Sequence, residues 1–324
     1  MKRRDFIALL GGAAWPAAAR AQETAIPLIG LLGSTTPEEW APYLAAFLKG
    51  LSETGIVIGR NGAIEYRWAE GRYDRLPAMA TELIERKASV TAAITTPAAV
   101  AAKAATTTTP IVFTTIGDPV KLGLITSLSR PGGNITGVTY LNVEIGPKLL
   151  ELMHEAVPTA TAMALLVNPS NPNPEIESRS LQDAAHTLGL ELQILNASTD
   201  QDINAAFARL AQLRVGGLIV PSDAFLNTRA EELARQALLH RLPAIFQTRE
   251  SIVAGGLMSY AGSAAEVYRQ AGVYTGRTLK GEKPAQLPVI QATKVELVVN
   301  LKTAKTLGLT LPMALFGRAD EVIE

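Results

Sequence analysis

The chain has 324 residues, 30 basic and 30 acidic side chains, a formal net charge of zero, 48% apolar residues and no cysteine. That balance argues against nucleic acid or an anionic membrane surface as partner, since both require a clustered basic face. It also excludes a disulfide framework, which a chain of this length does not need because its core is large enough.

The first predicted element is a secretory signal over residues 1–21. Lys2-Arg3-Arg4 precede an apolar run from Phe6 to Trp15, and Ala19-Arg20-Ala21 supply the small-residue exit. The run is shorter than the roughly 20 residues a bilayer span needs, and Pro16 interrupts it. Arg3-Arg4-Asp5-Phe6 resembles the twin-arginine export signal. Removing Lys2, Arg3, Arg4 and Arg20 against Asp5 leaves 26 basic and 29 acidic residues, a net of −3. No cysteine is available to carry a lipid anchor, and no later long apolar run follows. A soluble, exported, periplasmic protein is expected.

Beyond the signal, short apolar runs alternate with helical patterns, the signature of βαβ units and a parallel sheet. Expected strands are Ile26–Leu32, Ala63–Trp68, Val90–Thr95, Ile111–Thr115 and Ile135–Thr139, then Ala162–Val167, Leu190–Leu195, Gly217–Val220, Ala244–Phe246 and Leu257–Tyr260. Expected helices include Glu38–Thr54, Leu76–Lys87, Gly146–Ala156, Ile176–Leu188, Ile203–Arg214 and Arg229–His240. Arg130-Pro131-Gly132-Gly133-Asn134 reads as a turn between the two series. The pattern predicts an α/β protein of two doubly wound parallel-sheet lobes.

Helix starts recur at informative places. Thr36-Pro37-Glu38-Glu39 reads as a capping box with proline in the first turn. Thr96-Pro97, Asp118-Pro119 and Asn173-Pro174 read as similar cap-plus-proline starts, and Ser263-Ala264-Ala265-Glu266 as a further capping box before a helix stopped by Gly281 and Pro284. In doubly wound sheets ligands bind outside the strand carboxyl ends, where helix N-termini present free N–H groups. The segments 33–35, 95–98 and 116–119 of the first series, with 168–173, 221–223 and 247–250 of the second, therefore mark a cleft between lobes.

Signs of catalysis are absent. His154, His186 and His240 are scattered over predicted helices, and no HExxH, CxxC, EF-hand, G-x-S-x-G, Walker or G-x-G-x-x-G spacing occurs. No metal and no cofactor is expected, and the chain is not expected to be an enzyme.

From Pro110 onward the chain resembles the bacterial ABC transporter substrate-binding proteins of the type that includes tryptophan and aromatic amino-acid binders. The resemblance rests on Asp118-Pro119-Val120, Ser129–Gly137, Val167-Asn168-Pro169, Gly255–Tyr260, Asn300–Lys305 and the ending Arg318–Glu324. It implies a type I periplasmic-binding fold crossing between lobes three times, near Thr139–Glu144, Ala261–Gly262 and Ile290–Lys294. By that analogy the first lobe holds residues 25–139 and 262–290, and the second holds 140–261 and 291–324. It further implies a small-molecule solute carried to an inner-membrane ABC permease. A sensing module docking a membrane kinase or chemoreceptor is the alternative.

The solute expected first is an aromatic or branched amino acid or a related small carboxylate, and an α-amino acid needs donors for its carboxylate and an acceptor for its ammonium. Ser34, Thr95 and Thr96 are the carboxylate candidates, beside helix N-termini. Asp118 or Asp223 is the ammonium candidate. Gly117, Tyr140, Asn168, Ser222, Gln247 and Tyr260 complete the expected site. Trp40, Tyr43 and Phe225 are further aromatic-wall candidates, and Arg249 is a candidate for a second carboxylate.

Overall fold

The computed structural model describes residues 26–140, 145–172 and 174–324. The expected signal, Asn173 and most of the first crossing lie outside these residues. The first lobe begins with β1 (Leu28–Gly33), α1 (Pro37–Glu53), β2 (Ala63–Trp68), α2 (Leu76–Glu85), β3 (Val90–Ala93), α3 (Thr96–Ala105), β4 (Ile111–Thr115) and β5 (Ile135–Thr139). The second follows with α4 (Gly146–Ala156), β6 (Ala162–Val167), α5 (Pro174–Leu188), β7 (Glu191–Asn196), α6 (Asp200–Leu210), β8 (Leu218–Val220), α7 (Ala224–Asn227), α8 (Ala230–Leu239), β9 (Ala244–Phe246), α9 (Arg249–Val253) and β10 (Met258–Gly262). The chain then returns to the first lobe through α10 (Ala264–Leu279) and β11 (Ile290–Gln291). It ends in the second with β12 (Val295–Asn300), α11 (Leu301–Leu307), α12 (Met313–Phe316) and β13 (Glu321–Ile323).

Strand order is β11-β5-β4-β3-β1-β2 in one sheet and β13-β12-β10-β9-β8-β6-β7 in the other, so the chain passes between sheets three times. Pairing is parallel throughout except between β10 and β12, which run antiparallel. Alternate residues of one strand feed opposite faces, as the pleat requires. Leu31 joins the apolar layer under α1 and α10, while its neighbour Leu32 joins the layer under α2 and α3. Leu165 and Leu166 divide the same way in the second lobe. Buried apolar residues on both faces explain why these strands read as continuous apolar runs.

α10 is seated on the first lobe by a close crossing with α1. A Cβ on Gly272 would lie 2.1 Å from the Phe47 carbonyl oxygen, and one on Gly50 would lie 1.9 Å from that of Arg269. Only glycine lets the two backbones approach so closely. The helix that follows the second crossing is thereby locked to the first sheet.

Several local expectations are corrected. The Arg130–Asn134 turn lies inside the first lobe, between β4 and β5, with Gly132 and Gly133 at positive φ. Asn134 Nδ2 ties it to the carbonyls of Thr106 and Thr109. Asp118-Pro119 starts no helix; the Asp118 carboxylate accepts the Val120 and Lys121 N–H groups within a turn. The same side chain satisfies either arrangement, so local chemistry did not discriminate between them. The cap of α3 is Thr95 rather than Thr96, and its side chain makes no capping bond. Ser263 precedes α10 without a side-chain cap. The Thr36–Glu39 capping box forms as expected.

Candidate functional site

The carboxyl ends of both sheets open onto one cavity of about 260 Å3 between the lobes, just below the roughly 300–1,000 Å3 usual for small-molecule sites. The first lobe contributes Thr35, Tyr43, Ile94 to Pro97, Thr114 to Ile116, Tyr140 and Tyr268. The second contributes Asn171, Ser222, Asp223, Asn227, Gln247 to Glu250, Ser259 and Glu296.

The expected residues divide. Thr95, Thr96, Tyr140, Ser222, Asp223 and Gln247 lie on the cavity wall. Ser34 lies behind it, fully buried, with its hydroxyl against that of Thr95. Asn168 also lies behind the wall, donating to the Asp223 carboxylate at 3.2 Å. Gly117 gives its carbonyl to the Thr115 and Thr139 hydroxyls. Asp118 is occupied in its turn, and neither residue reaches the cavity lining. Tyr260 packs with the opposite face of its sheet, against the core of Leu297 and Val299. One residue along the strand, Ser259 faces the cavity instead, because side chains alternate across the sheet.

Three tyrosines form the aromatic wall. Tyr268 sits at its centre, 5.1 Å from the Tyr43 ring, 6.4 Å from Tyr140 and 5.6 Å edge-on from Trp40. Its phenol reaches the Ile94 carbonyl at 3.3 Å, and burial pushes its pKa up to about 12. Tyr43 donates across the cleft to Glu250 at 2.6 Å. Burial first, and then Glu250, raises the Tyr43 phenol above the tyrosine range. Both phenols stay protonated at neutral pH and act as donors. Trp40 is buried behind them, and Phe225 is buried in the second lobe under the Arg229 guanidinium.

Charge is mostly cancelled at the wall. Among the described lining residues Arg249 is the one cation, and both Nε and Nη2 are spent on Glu321, at 3.0 and 2.6 Å. It is therefore not a free carboxylate receptor. Glu296 pairs with Lys294 at 2.9 Å. An anionic group entering the cavity meets neutral donors instead. They are the hydroxyls of Thr95 and Thr96 and the N-terminus of α3, which lacks a side-chain cap and carries the partial positive charge of a ten-residue helix. Thr96 Oγ1 meanwhile accepts the Ile116 N–H at 3.2 Å, which fixes the β4 end beside it.

Outside the cavity lining, half-buried Glu39 in the first turn of α1 has one carboxylate oxygen on the Thr36 N–H and the other buried without a hydrogen-bond partner. Burial pushes its pKa up to about 7; the Thr36 N–H and Arg229 act against this, while Glu250 and Glu38 add to it. Sequence reasoning placed Glu250 in the 247–250 cleft segment without a role, and it missed Glu296, Tyr268 and Tyr73. Their positions follow from lobe closure and no local motif marks them. Among the described residues no group of three or more His, Asp or Glu side chains is placed to hold a metal ion, and no helix is long and apolar enough to cross a membrane.

The chain is similar to known proteins over most of its length. It is 29% identical over 264 residues, 81% of this chain and 75% of the relative, to a tyrosine-binding protein of Clostridioides difficile (strain R20291). A conserved domain protein from Vibrio cholerae O1 biovar El Tor superposes with a TM-score of 0.86 at 25% identity, covering 92% of this chain and 99% of that one. An ABC domain from Streptococcus pneumoniae in complex with L-Trp gives a TM-score of 0.82 at 24% identity, covering 91% of this chain and all of that one. These likenesses agree with the two-lobe fold of type I periplasmic-binding proteins. The family profile described as ABC transporter substrate binding protein matches residues 43–323, and the chain belongs to that family.

Proposed function

We propose that the protein is an exported receptor that captures an aromatic amino acid between its lobes and presents it to an inner-membrane ABC permease. The observation that carries this reading is the Tyr43–Tyr140–Tyr268 wall beside an uncapped α3 N-terminus in one inter-lobe cavity. Aromatic rings prefer offset or edge-on partners at 4.5–7 Å between centroids, which a tyrosine cluster offers to a planar side chain. The uncapped helix start and the Thr95 and Thr96 hydroxyls suit the α-carboxylate. Glu250, at the mouth and already oriented by Tyr43, suits the ammonium. The tyrosine-binding relative supports the same solute class. Export rests on the residue 1–21 pattern, and the permease partner rests on the family.

The test is native mass spectrometry of gently purified protein, followed by thermal shift with the twenty amino acids. Ligand at 100 times its Kd adds about 2.7 kcal/mol to stability, and at this size each kcal/mol moves Tm by roughly 2–4 °C or less. L-tyrosine, L-tryptophan or L-phenylalanine should produce the largest shift. A co-purifying compound that is not an amino acid, with no shift from any amino acid, would overturn the solute class.

A further inference from the structure

Asp223 was a candidate for the ligand's ammonium, yet the structure shows its carboxylate filled by the protein itself. Oδ1 accepts the Leu226 N–H at 2.9 Å and Asn168 Nδ2 at 3.2 Å. Oδ2 accepts Asn171 Nδ2 at 2.7 Å and the Tyr73 hydroxyl at 2.7 Å. A carboxylate offers about four acceptor positions, and this one is 5% exposed. Three of the four donors belong to the second lobe. The fourth comes from the first.

Tyr73 lies in the short 3-10 turn Tyr73–Arg75 between β2 and α2. The strand leading to it is tied to the end of β1: the N–H groups of Ala69, Glu70 and Gly71 donate to the carbonyls of Gly33, Thr35 and Ser34. The tyrosine therefore moves with the first lobe. Its ring packs against apolar cores of both lobes, and its hydroxyl also accepts the Phe225 N–H at 3.1 Å. Gly71, at φ +78°, brings this segment close to Phe225 and Arg229. Asp223 moves with the second lobe, as the cap of α7 and the partner of Asn168 and Asn171.

Any hinge opening must withdraw one phenol from two buried partners at once. It exchanges the hydroxyl donor of the Asp223 carboxylate and the acceptor of the Phe225 N–H for water and uncovers the Tyr73 ring, and a hydrogen bond to a charged group carries a net stabilisation that opening gives up. We propose that Tyr73 and Asp223 form a latch that favours the closed arrangement of the lobes, with Tyr73 a positioning residue for the cleft rather than a ligand contact. Tyr43 and Glu250 repeat the pattern at the exposed rim, again with the phenol on the first lobe and the carboxylate on the second. Water competes for that bond, so its share in closure is the smaller.

The absence of cysteine allows clean spin labelling at Glu85→Cys and Glu231→Cys, exposed positions on the two lobes. Inter-label distances are then measured on ligand-free, full-length protein, so the result is independent of the amino-acid reading, which the thermal-shift panel tests separately. The wild-type background should populate a short, closed distance. Tyr73→Phe, which keeps the ring and removes the hydroxyl, should lower the closed-to-open ratio about tenfold, as expected for a hydrogen bond to a charged group. Tyr43→Phe should change it less. Equal distributions in wild type and Tyr73→Phe, whatever their melting temperatures, would overturn the latch. So would a wild-type protein that never shows the short distance.

Discussion

The first lobe meets the cleft with hydroxyls and aromatic rings, whereas the second meets it mainly with amides and carboxylates. On one side stand Thr95, Thr96, Tyr43, Tyr140 and Tyr268; on the other stand Asn171, Asp223, Gln247, Glu250 and Glu296. The first wall can donate to an anion and flank a ring without carrying formal charge. The second can accept from a cation, but much of its acceptor capacity is already used in holding its own loops and the opposing lobe. A zwitterion with a flat side chain fits this division, carboxylate toward α3 and ammonium toward α9. On the proposed reading, closure by the second lobe completes a site that the first lobe largely shapes.

That division makes ordered predictions. Tyr268→Ala should have the largest effect, because it empties the centre of the aromatic wall. Loss of a buried aromatic costs about 3–5 kcal/mol, so Tm should fall markedly and L-tyrosine binding should be lost; a variant that still binds would place the ring elsewhere. Gly272→Ala should come next, at about 1–3 kcal/mol from overpacking, read as a lowered denaturation midpoint. Its effect arises where α10 crosses α1, so it tests how firmly the returning helix anchors the first lobe.

Thr95→Val against Glu250→Gln compares the two walls directly. By calorimetry Thr95→Val should weaken binding about tenfold, equivalent to about 1.4 kcal/mol. Glu250→Gln should weaken it less, because that carboxylate is exposed and a surface charge contact is worth at most about 1 kcal/mol. The reverse order would exchange the roles of the walls. The smallest effect should come from Glu39. Its pKa is about 7 in the folded protein against an ordinary 4.5, so the folded state binds the proton more tightly. Its contribution to stability is full below about pH 4.5 and is lost as pH rises through about 7. Glu39→Gln should therefore raise stability relative to wild type above pH 7 by less than about 1 kcal/mol after solvent screening, seen as a small rise in Tm, and leave it nearly unchanged in acid.

Much of the scaffold was legible because buried parallel strands announce themselves as apolar runs. β2, β4, β5, β6 and β9 begin and end at the expected residues. β12 and β13 were not expected: β12 pairs antiparallel with β10, β13 is a three-residue edge strand, and the βαβ pattern marks neither. Capping chemistry was legible at Thr36 and misleading at Asp118, where the same carboxylate closes a turn. The cleft could be located from strand ends, and its lining only in part: Thr95, Thr96, Tyr140, Ser222, Asp223 and Gln247 reach the wall, whereas Ser34, Gly117, Asp118, Asn168 and Tyr260 do not. Tyr43 and Glu250 meet there, and Tyr73 meets Asp223 behind the wall, only when distant segments close on each other, and Tyr260 misses it by one step of strand alternation.

The central claim is that the cavity between these unlike walls takes an aromatic amino acid. Isothermal titration of dialysed wild-type protein with L-tyrosine and L-tryptophan tests it most directly. A single site with Kd of about 1 μM or tighter, close to −8.2 kcal/mol, and a negative heat-capacity change from ring burial is the predicted result. Absence of binding by both amino acids, in protein shown by mass spectrometry to be free of ligand, would contradict it.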